Sequence, residues 1–233
     1  MTRAYDKLIL ESDFFSGLLD HTLQRVRFSF TERAARKGAF FFQQESPAEL
    51  LYLLARGRVK VGQLAEDGKQ VTMRMIVPGQ VFGGMAVLGP RASYPVSAEA
   101  MEASTALAWR GELLYELARR DPGLGLKMTE LMYSHLLEIQ TRFRELATER
   151  VEQRVARALL RLASLAGRRM ESGVLIDLPL SRQEIAELTG TTLFTVSRLL
   201  KLWERRGMVS TGRERVVIRD NAGLEAIARD GGR

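Results

Sequence analysis

The stretch TTLFTVSR, residues 191–198, holds the side chains best suited to chemistry with a partner. Arg198 carries a planar guanidinium that can donate two hydrogen bonds at once to guanine O6 and N7, while Thr195 and Ser197 suit phosphates or base edges. Thr191 and Thr192 open the stretch, and Lys201 follows it by one helical turn. Leu193 and Phe194 are the odd members, because a large aromatic is an unusual residue to leave on an exposed face. Phe194 cannot accept a hydrogen bond, but its ring can pack on a thymine methyl.

Catalysis lacks material. The chain has no cysteine and only two histidines, His21 and His135. Disulfides, thiolate zinc sites, cysteine-ligated iron–sulfur clusters and a thiol nucleophile are thereby excluded. No enzyme is expected.

The surrounding residues place TTLFTVSR on a helix. Ser181 and Glu184 have the spacing of a capping box, which starts a short helix through EIAEL. Ile185 and Leu188 face inward, Ala186 leaves room for a crossing helix, and Gly190 supplies a tight turn. A second helix then opens at Thr191/Thr192 with Val196, Leu199 and Leu200 inward. This is the helix-turn-helix pattern, whose second helix presents its N-terminal side chains to the major groove. Arg182 sits at the start of the first helix. Downstream, GMVSTGRERVVIRD reads as strand, turn and strand, a wing with Arg213 and Arg215 at its tip, followed by a short helix in NAGLEAIARD.

The formal charge is +7, and residues 149–233 carry 16 Lys/Arg against 11 Asp/Glu, which puts +5 of it in that part. Such an excess fits a polyanionic partner. No apolar run approaches the ~20 residues of a membrane span, and the N-terminus lacks the apolar core of a secretory signal. A soluble, cytoplasmic protein without membrane partners is expected.

Residues 13–36 mix apolar and charged positions at helical spacing and are read as short helices. From Lys37 to about Trp109 come short apolar or alternating segments, separated by QESPAE, AEDGKQ, VPGQ and LGPRAS. That pattern indicates an antiparallel sandwich or barrel, with Asp67-Gly68 turning a hairpin. From Pro122 an apolar seam recurs at spacings of three and four: Met128, Leu131, Met132, His135, Leu136, Ile139, Phe143 and Leu146. Its expected role is a dimer interface. Residues 148–166 form another amphipathic helix, and GRRMESGVLIDLP is read as a connection.

Over residues ~13–228 the chain resembles the cAMP-receptor/fumarate-nitrate-regulator (CRP/FNR) superfamily of bacterial transcription regulators. KGAFFFQQESPAELLYLLARGRVKV resembles its cyclic-nucleotide-binding β-roll, PGQVFGGMAVLG its phosphate cassette, and SRQEIAELTGTTLFTVSRLL its DNA-reading motif. The resemblance implies an α+β fold in three parts. These are a double-stranded β-helix (jelly-roll) sensor over 1–121, a dimerisation helix over 122–147, and a winged helix-turn-helix over 148–233. It implies a homodimer on a palindromic duplex DNA operator, with RNA polymerase as a further partner, and Arg198 as the guanine-reading residue with Ser197 beside it.

Two departures limit the resemblance. Where cyclic-nucleotide binders place a ribose-binding Glu and a phosphate-binding Arg-Ser pair, this chain has Gly84, Tyr94 and Pro95. An effector other than cAMP is therefore expected, in a pocket drawn from Gly83, Gly84, Met85, Arg91, Tyr94, Met128 and Met132. No cofactor is expected. The alternatives left open are a vestigial sensor with constitutive DNA binding, and a haem or gas sensor using His135 as axial ligand. The second departure is Phe194, which replaces a Glu that in many relatives accepts from cytosine; its ring either packs on a thymine methyl or tucks under the wing or the first helix and reads nothing.

Overall fold

The computed structural model describes residues 5–89 and 91–229, which leaves Pro90, in the turn expected at LGPRAS, outside the described residues. The chain divides into two compact units, Met1–Glu138 and Ile139–Arg233.

The first unit opens with helices Asp6–Glu11 (α1) and Asp20–Phe28 (α2). Eight strands follow: Thr31–Ala35 (β1), Phe40–Phe42 (β2), Leu50–Arg56 (β3), Val59–Leu64 (β4), Gln70–Ile76 (β5), Val81–Phe82 (β6), Ser97–Ala100 (β7) and Ser104–Arg110 (β8). They form two antiparallel four-stranded sheets of order β1-β8-β3-β6 and β2-β7-β4-β5, the jelly-roll arrangement. Asp67-Gly68 turns the β4–β5 hairpin, with Gly68 at φ 79°.

Strand alternation separates two cores. Leu51 and Leu53 of β3, with Leu107 and Trp109 of β8, join the helices in one cluster around Phe15 and Leu114. Tyr52 and Leu54, with Ala106 and Ala108, point the other way into a cluster with Phe42, Phe82 and Tyr94. Burial of both faces explains why LLYLL is apolar without a break.

β1 was expected to be helical. TERAA contains good helix formers, but its backbone pairs with the β8 edge from Thr31↔Ala108 to Ala35↔Ser104. Tertiary pairing overrides the local preference.

Helix Gly111–Arg120 (α3) leads to Pro122–Thr148 (α4), a 27-residue helix. Asp121 fixes the start of α4: its Oδ1 accepts from the Gly123 N–H at 2.9 Å and its Oδ2 from the Leu19 N–H at 3.1 Å.

The second unit contains the end of α4, helix Val151–Ala166 (α5), strands Gly167–Met170 (β9) and Gly173–Ile176 (β10), helices Arg182–Thr189 (α6) and Leu193–Arg205 (α7), strands Val209–Gly212 (β11) and Arg215–Ile218 (β12), and helix Asn221–Arg229 (α8). The segment expected as a plain connection is thus a hairpin. β10 pairs with β12, which extends the wing into a four-stranded sheet of order β11-β12-β10-β9. β9 escapes sequence reading because all four of its residues are exposed at the sheet edge and none carries a core face. Among the described residues, no helix is long and apolar enough to cross a membrane.

Candidate nucleic-acid interface

The capping box forms as its spacing requires. Ser181 Oγ accepts from the Glu184 N–H at 3.1 Å, and Glu184 Oε2 accepts from the Ser181 N–H at 2.6 Å. Gly190 then turns the chain at φ 60°, a left-handed conformation that favours glycine. An added Cβ there would also lie 2.9 Å from Leu146 Cδ2. Thr192 caps α7 by accepting from the Thr195 N–H at 3.2 Å.

Once α7 is started, its phase is set by burial. Val196, Leu199, Leu200 and Trp203 are buried, and Trp203 donates from Nε1 to Glu152 Oε1 at 3.1 Å. The opposite face carries Phe194, Arg198, Lys201 and Arg205, spaced by four, three and four residues and all exposed. That spacing puts them on one line along the helix. Phe194 is 83% exposed, so its ring is not packed under the wing or against α6. Among the described residues, no hydrogen bond or ion pair engages Arg198, Lys201 or Arg205.

The other predicted residues take different places. Thr192 is exposed, Thr191, Thr195 and Ser197 are half-buried, and the Thr195 hydroxyl lies 3.0 Å from that of Thr192. Arg182, Leu193, Arg213 and Arg215 come together around a groove of about 440 Å³ between α6, α7 and the wing. Both wing arginines are exposed. Leu193 therefore looks toward the wing and Phe194 away from it.

Three positioning or contact residues escaped the sequence reading. Arg154 of α5 donates from Nε to the Thr189 carbonyl at 3.0 Å and from Nη2 to the Gly190 carbonyl at 3.4 Å, which satisfies the C-terminal end of α6. Glu204 Oε1 accepts from both the N–H and the hydroxyl of Thr211, at 2.7 and 2.8 Å, tying α7 to the wing. Arg205 continues the exposed line. Only Arg205 carried a signal in the sequence, the helical spacing from Arg198.

The cassette of the first unit has a different character. Gly83 stands at φ 77°, and a Cβ there would meet the Leu50 carbonyl at 2.8 Å. A 3₁₀ turn follows at Gly84–Leu88. Tyr94 is 3% exposed, and its ring stacks on Phe42 at a centroid distance of 3.8 Å. Its hydroxyl donates to the Leu50 carbonyl at 2.6 Å and accepts from the Leu50 N–H at 3.0 Å. Burial pushes the phenol pKa up, against the hydrogen bonds with the β3 backbone. Phe41, Tyr52 and Phe82 surround this pair. The structure brings some of the expected effector residues together and not others: Met85 joins the Tyr94 cluster and Met132 covers Gly84, whereas Met128 belongs to the other core and Arg91 is exposed. A cavity of about 260 Å³ lies instead against Ser12, Asp13, Arg74, Gln80, Lys127 and Ser134. Its cations, Arg74 and Lys127, are half-buried, and Arg74 is already paired with Glu138.

The seam of α4 divides likewise. Met128 and Leu131 pack on their own unit, and Arg74 of β5 engages His135 through Nη1 and Glu138 through Nε at 3.1 Å. Burial, and then the Arg74 charge, lower the His135 pKa to about 4, so the imidazole is neutral near pH 7. Leu136, Ile139, Phe143 and Leu146 are exposed, as are Leu126, Tyr133 and Leu137, which the seam did not include.

Residues 153–227 match the family described as Crp-like helix-turn-helix domain, and residues 32–121 the cyclic nucleotide-binding domain. The chain is 32% identical to the Cyclic AMP receptor protein of Thermus thermophilus over 219 residues, 93% of this chain and 97% of that protein. The chain belongs to the CRP/FNR family. It is also 31% identical to the nitrogen fixation regulation protein FixK of Azorhizobium caulinodans, across 80% of this chain and 74% of that one. Among solved structures, FixK2 from Bradyrhizobium japonicum superposes with a TM-score of 0.77 at 26% identity, over 86% of this chain and 98% of that chain. CRP/FNR membership makes this chain a transcription regulator with a helix-turn-helix DNA-binding domain, and not an enzyme. α7 then lies in the helix-turn-helix domain, and Tyr94 in the cyclic nucleotide-binding domain.

Proposed function

We propose that the chain acts in the cytoplasm as a homodimer on a palindromic DNA operator, and that its signal is not cAMP. The observation that carries the reading is the exposed line of α7, where Arg198, Lys201 and Arg205 have no partner among the described residues. Arg198 reads a guanine. Thr191, Thr192, Thr195, Ser197, Arg182 and the wing arginines Arg213 and Arg215 hold phosphates or neighbouring base edges. Dimerisation is supported by the exposed Leu136, Ile139, Phe143 and Leu146 of α4. The two recognition helices must then enter major grooves about one DNA turn apart, roughly 34 Å. An effector bound in the first unit acts by favouring one packing of α4 over another. RNA polymerase is the further partner through which such a dimer changes transcription.

A second reading is a regulator whose sensor no longer responds, with DNA bound constitutively. It is favoured by Tyr94 and Phe42, which fill the cassette interior with the protein's own rings. A haem on His135 would first have to displace Arg74 from the imidazole.

Enrichment of bound duplexes from a random-sequence library, with and without a metabolite extract, tests the proposal. A palindromic motif is expected. Enrichment of no motif under either condition would remove it, and a motif unaffected by any extract would favour the second reading.

A further inference from the structure

A phenyl ring has neither donor nor acceptor, so a reading helix that presents one cannot use the hydrogen-bond code of the major groove. Of the four base-pair edges in that groove, only those with thymine offer an apolar group, the 5-methyl. Phe194 lies in the first turn of α7, the part of a recognition helix that reaches base edges. It shares one helix line with Arg198, Lys201 and Arg205, and its ring is 83% exposed. Nothing in its own unit claims it: Leu193, its neighbour, takes the side facing the wing groove, and among the described residues no other ring packs on Phe194. The cations on the same line dock against phosphates and guanine, which brings the ring to the groove floor at no separate cost in orientation.

We infer that Phe194 is a specificity-determining residue that reads a thymine methyl, next to the guanine read by Arg198. The inference rests on the proposed DNA-reading function and adds the class of base to it. Arg198 follows Phe194 by four residues, about 6 Å along the helix axis. With ~3.4 Å per base-pair step, the thymine falls within about two base pairs of the guanine.

The test uses the full-length chain and the duplex enriched from the random library. Each thymine is replaced in turn by deoxyuridine, which removes the methyl alone, and binding is measured by fluorescence anisotropy at fixed salt. One such replacement per half-site, within about two base pairs of the guanine, weakens binding by about fourfold, the worth of one buried methyl. In Phe194→Ala the same replacement has an effect of about onefold. Phe194→Glu moves the preference at that pair from thymine toward cytosine, whose amino group a carboxylate can accept from. An enriched site without that thymine overturns the inference alone. So does a deoxyuridine penalty that persists undiminished in Phe194→Ala. A library that enriches no sequence overturns the DNA-reading proposal and this inference together.

Discussion

Tyr94 and Phe194 are aromatic residues at the two places where the family resemblance implies charged ones, and they have opposite fates. Tyr94 is 3% exposed, stacked on Phe42 and hydrogen-bonded to the β3 backbone. Phe194 is 83% exposed on a helix line whose other residues are the cations Arg198, Lys201 and Arg205. One ring is packed into its own domain, and the other is left open to solvent. A ring engaged by its own fold is unavailable to a ligand, whereas an exposed one is free to meet a partner. Gly83, beside the Tyr94 cluster, is held to glycine by its own fold, since it stands at φ 77° and a Cβ there would meet the Leu50 carbonyl at 2.8 Å.

The largest effect should come from the inward residue. Tyr94→Ala removes a stacked ring and two hydrogen bonds, and should lower stability by about 3–5 kcal/mol. Calorimetry of the full chain reads this directly, and a loss below about 1 kcal/mol would mean that the cassette is not packed as described. Next in size, Arg198→Ala should weaken binding to the enriched duplex by about 1–3 kcal/mol and relax the preference at one guanine. Unchanged binding would move the reading face elsewhere on α7. Ser181→Ala should cost about 1 kcal/mol through the lost cap of α6; Ser181→Asp, which can still cap, should recover most of it. The smallest effect on stability belongs to Phe194→Ala, within about 0.5 kcal/mol, because the ring has almost no packing to lose. A clear destabilisation there would show that the ring is buried in solution and would remove the contrast with Tyr94.

How much of this was legible beforehand varied with the range of the interactions. The helix-turn-helix is written locally, in the Ser181–Glu184 spacing, Gly190 and the inward Val196, Leu199 and Leu200, so it could be read from one strip of sequence. The jelly-roll strands were visible where alternation was strong, as in β4 and β5. Thr31–Ala35 was not visible, because its strand state comes from pairing with β8 over seventy residues away. The β9–β10 hairpin was hidden for a related reason: GRRM has no apolar face, and its place is set by β10 pairing with the wing. On α4 the periodicity gave a seam but not its division, since only the sheet packed against the helix decides that Met128 and Leu131 turn inward. The expected effector residues come from two stretches, 83–94 and 128–132, and packing divides them: Met85 and Tyr94 join one core and Met128 the other.

The central claim, that α7 is turned outward to DNA while the cassette is closed on itself, meets its most direct test in one titration. The full-length chain is titrated with its enriched duplex and with a scrambled duplex, each with and without millimolar cAMP. The account predicts a preference for the enriched duplex of about a thousandfold or more, unchanged by cAMP. Loss of that preference, or a marked tightening on addition of cAMP, would contradict it.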